Sequence, residues 1–322
     1  MSTSPFLSNC SADLIRAAAK SLRAGHLVAF PTETVYGLAA DATNKAAVAR
    51  IYEVKGRPTN HPLIVHLHSM PAMSEWVEEV PTYAIDLART FWPGPMTLIL
   101  KRSSLAQDFI TGGQSTVGIR VPNHPVALAL LEAFHNLGGH GVAAPSANRF
   151  GHVSPTTAQA VSDELTPYLT PQDQILDGGQ CAVGLESTII DCTQAAPQIL
   201  RPGAITAEMI VTATGLDILD STGTTIRVSG SLQAHYAPAA KVLLCQTPIA
   251  GQGFIAFADQ DTPSGVIRLA APKTSVEYAG DLYAALRKAD ELGLAEVVAM
   301  QPVGIGIEVA IRDRLKRAAN GR

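Results

Sequence analysis

The first two thirds of the chain alternate between helical and extended hydrophobic patterns. Ser11 precedes a run in which Leu14, Ala18 and Leu22 recur at helical spacing, and Gly25 follows it. A serine N-cap and a glycine after the last apolar residue are typical of a helix. Further helices are predicted at about 45–54, 84–90, 125–136 and 157–164, and strands at 26–30, 62–67, 96–100, 116–121, 141–144, 187–191 and 198–200. This alternation predicts an α/β domain whose sheet need not be wholly parallel.

The pattern changes in the last third of the chain. Residues 217–240 are rich in Thr, Ser, Gly and Pro and have no sustained apolar period, which is typical of a linker. Beyond them, apolar runs alternate with a long amphipathic segment at 275–292 and a basic terminal helix; the runs lie at 242–245, 254–258, 265–270 and 296–300. We therefore predict a first domain at 1–216, a linker at 217–240 and a small, doubly wound second domain at 241–322.

Composition and charge narrow the class of protein. The 322 residues carry 24 Lys and Arg against 28 Asp and Glu, so the formal net charge is −4. With 47% hydrophobic residues, the chain is not a disordered polyelectrolyte. A pI of about 6.1 argues against a protein that coats nucleic acid through overall basicity. The length suffices for two domains of roughly 150 residues each.

Cysteine usage and the N-terminal segment favour a cytoplasmic location. Cys10, Cys181, Cys192 and Cys245 form no C-x-x-C pair and are too sparse for a disulfide framework. No apolar run approaches the ~18 residues of a membrane span, and the first residues lack the pattern of a secretory signal. We expect a cytoplasmic protein without membrane association.

The common short motifs for nucleotides, metals and covalent catalysis are absent from the sequence. It contains neither G-x-x-x-x-G-K-[ST] nor a complete G-x-G-x-x-G, and neither H-E-x-x-H nor G-x-S-x-G. His66 and His68 share one face of a predicted strand, but an isolated pair of this kind is more often structural than a metal site. Any nucleotide would therefore be bound without the common phosphate loops.

Five polar clusters interrupt the apolar strands. They are PTETVYGLAAD (31–41), KGRPTNHPLIVH (55–66), TVGIRVP (116–122), APSANRFGHVSPT (144–156), and LESTIID (185–191) with LRPG (200–203). Together they place hydroxyls, guanidinium groups and an ammonium group at predicted strand ends, where α/β folds bind ligands. Such groups suit phosphate or carboxylate. Since no nucleophile has an obvious base beside it, catalysis by orientation and charge neutralisation is favoured over a covalent intermediate.

Each cluster also has a purely structural interpretation. Lys55 and Gly56 suit the end of the preceding helix, and Ser154 with Pro155 suits the start of the next one. Arg120 lies within an apolar strand, so it must pair, extend to solvent or face a ligand. Arg57 lies between Gly and Pro in a stiff segment that is not typical of a solvated side chain. Individually these patterns favour structural roles, whereas their combination favours an anion site.

In these clusters the sequence resembles the threonylcarbamoyl-adenylate synthase family, in the long form with a YrdC-like domain followed by a small C-terminal domain. The matching strings are PTETVYGL, KGRP…PLIVH, TVGIRVP, APSAN, LESTIID, LRPG and HYAP, in family order over about residues 10–240. The resemblance implies an α/β fold with a YrdC-like twisted mixed sheet and helices, followed by a small Rossmann-like α/β domain.

The resemblance also implies a reaction. L-threonine, bicarbonate (or carbon dioxide) and ATP would give threonylcarbamoyl-adenylate and pyrophosphate, which is a nucleotidyltransferase activity. A downstream threonylcarbamoyl transferase complex would then modify a tRNA adenosine beside the anticodon. Mg²⁺ is expected on the triphosphate of ATP rather than at a protein metal site, and stable nucleic-acid binding is not expected.

The family's functional residues can be carried over by motif. The catalytic residues would be Lys55 and Arg57. Threonine would be held by Thr34, His66, Arg120, Ala144 and Ser187, with Arg120 facing its carboxylate. ATP would contact Arg57, His61, Thr116, Ser146, Asn148, Ser154, Arg201 and Tyr236, the last closing over the nucleotide from the linker. Two departures are His61, where the family usually has Asn, and Ser229, where it commonly has Pro.

Two other functions compete with this interpretation. An RNA-binding module could use Lys55, Arg57, Arg120 and Arg201 as a phosphate groove, although 5% aromatic residues offer few stacking platforms. A carbamoyl-transferring relative that acts on carbamoyl phosphate is a further alternative, but such relatives usually carry this domain within much larger chains.

Overall fold

Two β-sheets, each with its own helices, organise the chain in a computed structural model that describes residues 7–230 and 235–321. The strands of the first sheet are, in chain order, β1 (Leu7–Asn9), β2 (Val28–Phe30), β3 (Gly37–Asp41), β4 (Ile64–His66), β5 (Met96–Lys101), β6 (Thr116–Arg120), β7 (Val142–Ala143), β8 (Gln174–Asp177), β9 (Thr188–Asp191) and β10 (Gln198–Arg201). Its helices are α1 (Ala12–Arg23), α2 (Lys45–Lys55), α3 (Thr82–Phe91), α4 (Asp108–Thr111), α5 (Pro125–Asn136), α6 (Ala158–Leu165) and α7 (Ala207–Thr214), with 3-10 turns at Pro71–Glu75 and Thr166–Tyr168.

The first sheet is mixed, as predicted. Its strand order is β1-β8-β2-β3-β7-β4-β6-β5-β9-β10. Strands β4 and β6 are parallel, whereas β5 runs antiparallel to β6. Strand β9 is parallel to β5, and β10 is antiparallel to β9. As a result, the carboxyl ends of β4, β6 and β10 lie at the same edge of the sheet as the amino end of β9.

Helices cover the two faces of this sheet unequally. On one face, α1 and α5 pack through residues such as Leu22 and Phe134. The other face is covered by α2, α3, α6 and α7, which contribute residues such as Ile51 and Leu87. The part of the first face beyond α1 and α5 is crossed by the predicted linker, where Val228 packs with apolar side chains of β5 and β9. No helix among the described residues is both long and apolar enough to cross a bilayer.

Local capping explains where the predicted helices begin and end. The Ser11 hydroxyl accepts a hydrogen bond from the Leu14 N–H at 3.3 Å, so α1 begins as predicted. Helix α2 ends at Gly56, which has φ = 60°. Glycine suits this left-handed conformation, and the chain can turn there toward Arg57.

One predicted cap is wrong, and several short elements escaped prediction. Helix α6 begins after Thr157, whose hydroxyl accepts from the Ala160 N–H at 3.2 Å. Ser154 is not that cap, because its hydroxyl instead donates to Glu186 at 2.6 Å. The unpredicted elements are β1, β3, β8, α4 and α7. They have three to eight residues each, too few to establish a hydrophobic period.

The second sheet follows the linker and is wholly parallel. Its strands β11 (Lys241–Leu244), β12 (Gly253–Ile255), β13 (Ile267–Ala270) and β14 (Glu296–Ala299) have the order β11-β14-β12-β13. Helices α8 (Ser275–Glu291) and α9 (Glu308–Ala319) belong to this sheet. The small α/β domain with a parallel sheet is confirmed. Both helices join the same hydrophobic cluster on one face, whereas Phe254 and Val298 lie in another cluster on the opposite face. The sheet is therefore not doubly wound.

The domain bounds 1–216 and 241–322 stay a prediction. Residues 231–234 of the predicted linker lie outside the described residues.

A buried carboxylate joins three segments of the first domain. Asp173 accepts hydrogen bonds from the Leu27 N–H at 2.7 Å, from the Thr170 N–H at 2.7 Å and from both terminal nitrogens of Arg50 at 2.9 and 2.7 Å. It thereby connects the start of β2, helix α2 and the turn before β8. Burial raises the pKa of Asp173, but the bonds from Arg50 and the two amides lower it below its usual value.

We predict that Asp173→Asn lowers the free energy of unfolding by about 2–3 kcal/mol at pH 7, since the amide loses the charged pair with Arg50. A carboxylate with a lowered pKa stabilises the fold fully above its unfolded pKa of about 3.9, and this stabilisation is lost as the pH falls through the folded pKa. Urea denaturation at pH 7 and pH 3 should show a smaller difference at pH 3. Exposed Asp261→Asn is the control; an equal difference at both pH values would contradict the prediction.

Candidate active site

A cleft lies on the face of the first sheet that the linker crosses. Strand residues at alternate positions point to one face, so Ile64 and His66 of β4 share a face. Their register partners on β6 are Gly118 and Arg120. His66 and Arg120 are therefore neighbours at the adjacent carboxyl ends of these strands, and both line the cleft.

One corner of the cleft is built around Arg120. A terminal guanidinium nitrogen of Arg120 lies 2.8 Å from a Glu33 carboxylate oxygen and donates to the Thr34 hydroxyl at 2.9 Å. The other oxygen of Glu33 accepts from the Asn123 N–H at 3.0 Å. The Thr34 hydroxyl is 2.8 Å from that of Thr32. This corner thus presents a fixed, charge-balanced guanidinium group.

A buried ammonium group organises the loop after β7. Lys55 is 2% exposed, and its Nζ donates to the carbonyl of Ser146 at 2.6 Å and also to that of Asn148. Burial, and then the charge of Arg57, lowers the pKa of Lys55 well below its usual value. The loop that carries Ser146 and Asn148 is thereby tied to the end of α2.

Arg57 and Arg201 meet the linker at Ser229. Arg57 donates to the Pro62 carbonyl at 3.0 Å and to the Ser229 hydroxyl at 3.2 Å. One terminal nitrogen of Arg201 donates to the Ser229 carbonyl at 2.8 Å, and the other donates to the Ser187 carbonyl at 2.9 Å. Burial lowers the pKa of Arg57 to about 10, which still leaves it cationic at neutral pH. Two guanidinium groups thus flank one linker residue.

Two aromatic residues of the linker close this side of the cleft. Tyr236 is 1% exposed and has φ = 60°, a left-handed conformation that is unusual for a tyrosine. Its ring stacks on Tyr283 of α8 with centroids 5.7 Å apart. His235 lies beside it, with ring centroids 4.1 Å apart. The HYAP string therefore lies at the cleft and not in solvent.

Unpartnered polar atoms converge on the cleft. Among the described residues, buried side-chain atoms without a hydrogen-bond partner include Arg57 Nε, Arg120 Nε, Asn148 Oδ1, His235 Nδ1 and the Tyr236 hydroxyl, and all five residues line the cleft. Buried polar atoms in native proteins are almost always satisfied. Because most of these atoms are donors or can act as donors, the cleft is suited to a ligand rich in anionic oxygens.

The structure brings most of the sequence-predicted site residues together. Those that line the cleft are Thr34, Lys55, Arg57, His66, Arg120, Ala144, Ser146, Asn148, Ser187, Arg201 and Tyr236. His61, Thr116 and Ser154 do not line it. His61 packs against the ring of Phe150, Thr116 lies in a separate depression under the linker, and the Ser154 hydroxyl bonds Glu186.

Sequence reasoning missed several cleft-forming residues. Phe150, Glu186, Ser229 and His235 line the cleft, and Glu33 holds Arg120 from behind it. All five lie in or beside the strings already singled out. An acidic residue directly beside hydroxyl residues, as in PTETVYGL and LESTIID, is the signal that could have revealed Glu33 and Glu186.

The carboxylates at the cleft do not form a metal cage. Glu33 is paired with Arg120, and Glu186 accepts bonds from Ser154 and Tyr283 and pairs with Arg314. No group of three or more His, Cys, Asp or Glu side chains in residues 7–230 and 235–321 is placed to hold a metal ion. The donor set therefore does not fit a resident Mg²⁺, which prefers oxygen ligands in near-octahedral geometry.

The buried histidines of the cleft predict a pH dependence of stability. Burial, with the charge of Arg120, lowers the pKa of His66 to about 3. Below pH ~6.5 the unfolded chain binds a proton at this histidine while the folded chain does not. The free energy of unfolding must therefore decrease as the pH is lowered. We predict that the wild type loses about 2 kcal/mol more than His66→Gln between pH 6.5 and pH 4.5 in urea denaturation.

His235 provides a second test of the same effect, because burial also lowers its pKa to about 3. His235→Gln should reduce the slope of stability against pH by a similar amount. Equal slopes for the wild type and both variants would contradict the prediction, since they would show that the folded chain binds protons at these histidines as readily as the unfolded chain does.

Comparisons with known proteins match both parts of the chain. The Sua5/YciO/YrdC family model, described as "Telomere recombination", matches residues 20–203, and the model "Threonylcarbamoyl-AMP synthase, C-terminal domain" matches residues 205–320. Threonylcarbamoyl-AMP synthases of Pyrococcus abyssi and Bacillus subtilis are each 38% identical to this chain, over 96% of it and 94% and 93% of their own lengths. A crystal structure of P. abyssi Sua5 complexed with L-threonine has a TM-score of 0.87 at 36% identity, covering 98% of both chains. The chain belongs to the threonylcarbamoyl-AMP synthase family.

Proposed function

We propose that this chain forms threonylcarbamoyl-AMP and pyrophosphate from L-threonine, bicarbonate and ATP, a nucleotidyltransferase reaction. The convergence of unpartnered donor atoms and buried guanidinium groups on one cleft supports this proposal most directly. All three substrates are anionic or carry a carboxylate at neutral pH. A cleft that binds them together must offset the repulsion between them, and Lys55, Arg57, Arg120 and Arg201 carry the positive groups that can do so.

The threonine half of the cleft is the corner around Arg120. The threonine carboxylate would accept from the unpartnered Arg120 Nε, while Glu33 and Thr34 hold the guanidinium group in place. His66 is neutral and can exchange a hydrogen bond with the threonine amine or hydroxyl. Ala144 and Ser187 would form the walls of this pocket.

The ATP half of the cleft lies between the loop after β7 and the linker. Arg57, Arg201, Ser146 and Asn148 would surround the phosphates, and Tyr236 would cover the nucleotide. Lys55 ties this loop to the end of α2 through two carbonyls. His61, Thr116 and Ser154 would act around this half only indirectly, since they lie outside the cleft lining.

The chemistry then needs orientation more than covalent help from the protein. The threonine amine forms a C–N bond with carbon dioxide derived from bicarbonate and loses a proton, which gives a carbamate. A carbamate oxygen attacks the α-phosphorus of ATP, the bond to the bridging oxygen breaks, and pyrophosphate leaves. Arg57 and Arg201 would neutralise charge that develops on the phosphates. Mg²⁺ would enter with ATP as part of the substrate.

The chemistry of the product suggests a partner for this chain. The mixed anhydride hydrolyses readily, so exclusion of water by the linker and prompt transfer to a downstream threonylcarbamoyl transferase complex would serve this reaction.

The burial of the cleft's cations disfavours the RNA-binding alternative. Arg57, Arg120 and Arg201 are at most 7% exposed. Buried cations of this kind cannot follow a polyanionic RNA backbone, which requires an open basic groove. We propose that the reaction takes place in the cytoplasm.

The proposed reaction is tested by measuring pyrophosphate release from ATP with threonine and bicarbonate each omitted in turn. Release should depend on both and should yield threonylcarbamoyl-AMP by mass spectrometry. Release at the same rate without threonine would exclude this function.

The division of the cleft predicts selective losses. We expect Arg57→Ala to raise the KM for ATP about 10- to 100-fold, and Arg120→Ala to raise the KM for threonine by a similar factor, as expected for the loss of a hydrogen-bonded charge. Arg16→Ala, a change at an exposed position on α1, is the matched control. Equal effects of Arg57→Ala and Arg120→Ala on both substrates would contradict the assigned halves.

A further inference from the structure

The loops of the cleft extend into the core of the second domain. Val35 follows Thr34, Val153 precedes Ser154, and Leu185 precedes Glu186 in the chain. These three apolar residues are buried in the hydrophobic cluster formed by α8, α9 and the second sheet. The α8 and α9 side of the second domain therefore packs directly against the strings that build the cleft.

A tight backbone approach fixes one of these loops. Gly184 has φ = 75°, and a Cβ there would lie 2.6 Å from the Ala279 carbonyl oxygen and 2.6 Å from the Gly280 Cα of α8. No side chain fits at this contact. The turn that leads into Glu186 and Ser187 is consequently packed directly against the backbone of α8.

Glu186 is a buried carboxylate held from both domains. One of its oxygens accepts from the Ser154 hydroxyl at 2.6 Å. The other accepts from Tyr283 of α8 and from Arg314 Nε of α9, both at 2.8 Å. Burial would raise the pKa of Glu186, but the charges of Arg314 and Arg201 lower it to about 2. Glu186 therefore stays ionised and paired.

Arg314 contacts the linker as well as Glu186. Its side chain is fully buried, and another nitrogen donates to the Pro202 carbonyl at 3.0 Å, next to Arg201. Its guanidinium carbon lies 5.2 Å from the ring centroid of Tyr236, within the range of a cation–π interaction. Tyr236 is thus held in its left-handed conformation between Arg314 and the stacked Tyr283.

We propose that Arg314 is a positioning residue for the ATP half of the active site, through its contacts with Glu186, the Pro202 carbonyl and the Tyr236 ring. This inference rests on the proposed function. Arg314 touches no predicted substrate position, since it does not line the cleft. It acts through Tyr236 and through the backbone beside Arg201, both of which belong to the ATP half. The second domain thereby becomes part of the active site.

The threonine half provides an internal control. Arg120 and Thr34 are held by Glu33, Asn123 and Thr32, all in the first domain. None of these contacts involves Arg314. Ser187 of the threonine half follows Glu186 in the chain, but its hydroxyl is also hydrogen-bonded to that of Thr97 on β5 at 2.8 Å. Loss of Arg314 should therefore weaken ATP binding and leave threonine binding nearly unchanged.

The choice of variants separates positioning from folding. Arg314→Met alone leaves Glu186 as an unpaired buried charge and is expected to destabilise the fold strongly. The double variant Glu186→Gln/Arg314→Met removes both charges, and exchange of a buried pair for uncharged groups of similar volume is often neutral for stability. The amide oxygen can still accept from Ser154 and the amide nitrogen can donate to the Tyr283 hydroxyl, whereas Tyr236 loses its cation. Arg314→Lys, which keeps the charge without the planar fork, serves as a second variant that retains pairing with Glu186.

The affinities of the full chain for threonine and for a non-hydrolysable ATP analogue plus Mg²⁺ are measured in separate calorimetric titrations. A thermal unfolding scan of each variant shows whether it is folded. We expect the double variant to melt within a few degrees of the wild type, to bind the ATP analogue at least about 10-fold more weakly and to bind threonine within about 2-fold. Arg314→Lys should give an intermediate loss for the ATP analogue. Arg312→Met is the matched control, because Arg312 also lies on α9 but donates to the carbonyls of Pro302 and Gly304.

Each outcome bears on the proposal. Wild-type affinity for the ATP analogue in folded variants would overturn the positioning role of Arg314. An equal loss of ATP and threonine binding would also overturn it, since that result indicates a general structural role. If the wild type itself fails to bind the ATP analogue, the proposed function fails, and the role of Arg314 fails with it.

Discussion

Burial of cations around a cleft with few carboxylates is the constraint on which the rest of this structure depends. Lys55, Arg57, Arg120 and Arg201 are all at most 7% exposed. Removing such a charge from water costs several kcal/mol unless pairing and hydrogen bonds compensate. Among these four, Arg120 is the one that forms an ion pair within the described residues, with Glu33. The other three are held mainly by backbone carbonyls, which satisfy hydrogen bonds but do not neutralise charge. The uncompensated charge is what makes the cleft suited to anions.

This constraint explains why the linker and the second domain lie where they do. Ser229 supplies a carbonyl and a hydroxyl to the guanidinium groups of Arg57 and Arg201. Phosphates bound in the ATP half would replace these weaker acceptors or use the remaining nitrogens. Glu186 provides a second negative charge near Arg201, and Arg314 in turn holds Glu186. The electrostatics of the cleft thus extend across both domains.

The elements with long hydrophobic periods could be predicted from the sequence. The elements that form through contacts with distant parts of the chain could not. Helix α5 spans Pro125–Asn136 and Gly56 ends α2, both as predicted. Strand β3 begins at Gly37 within the PTETVYGLAAD string, where no strand was predicted, because it is held by pairing with β2 and β7. Ser154 and Pro155 look like a helix start, but the carboxylate of Glu186, 32 residues later, takes the hydroxyl.

The sequence by itself determined the family, the mixed α/β first sheet, the parallel second sheet and most of the residues that line the cleft, because short strings with glycine, hydroxyl and basic residues carry that information locally. Only the tertiary structure decided which of these residues meet. Strand register places His66 beside Arg120. Glu33 forms an ion pair with Arg120, and His61 packs against the ring of Phe150. The tertiary structure also brought Arg314 to Glu186 across 128 residues of chain. Such pairings are decided by packing and by the need to satisfy buried charge, and neither is expressed in the local pattern of a sequence.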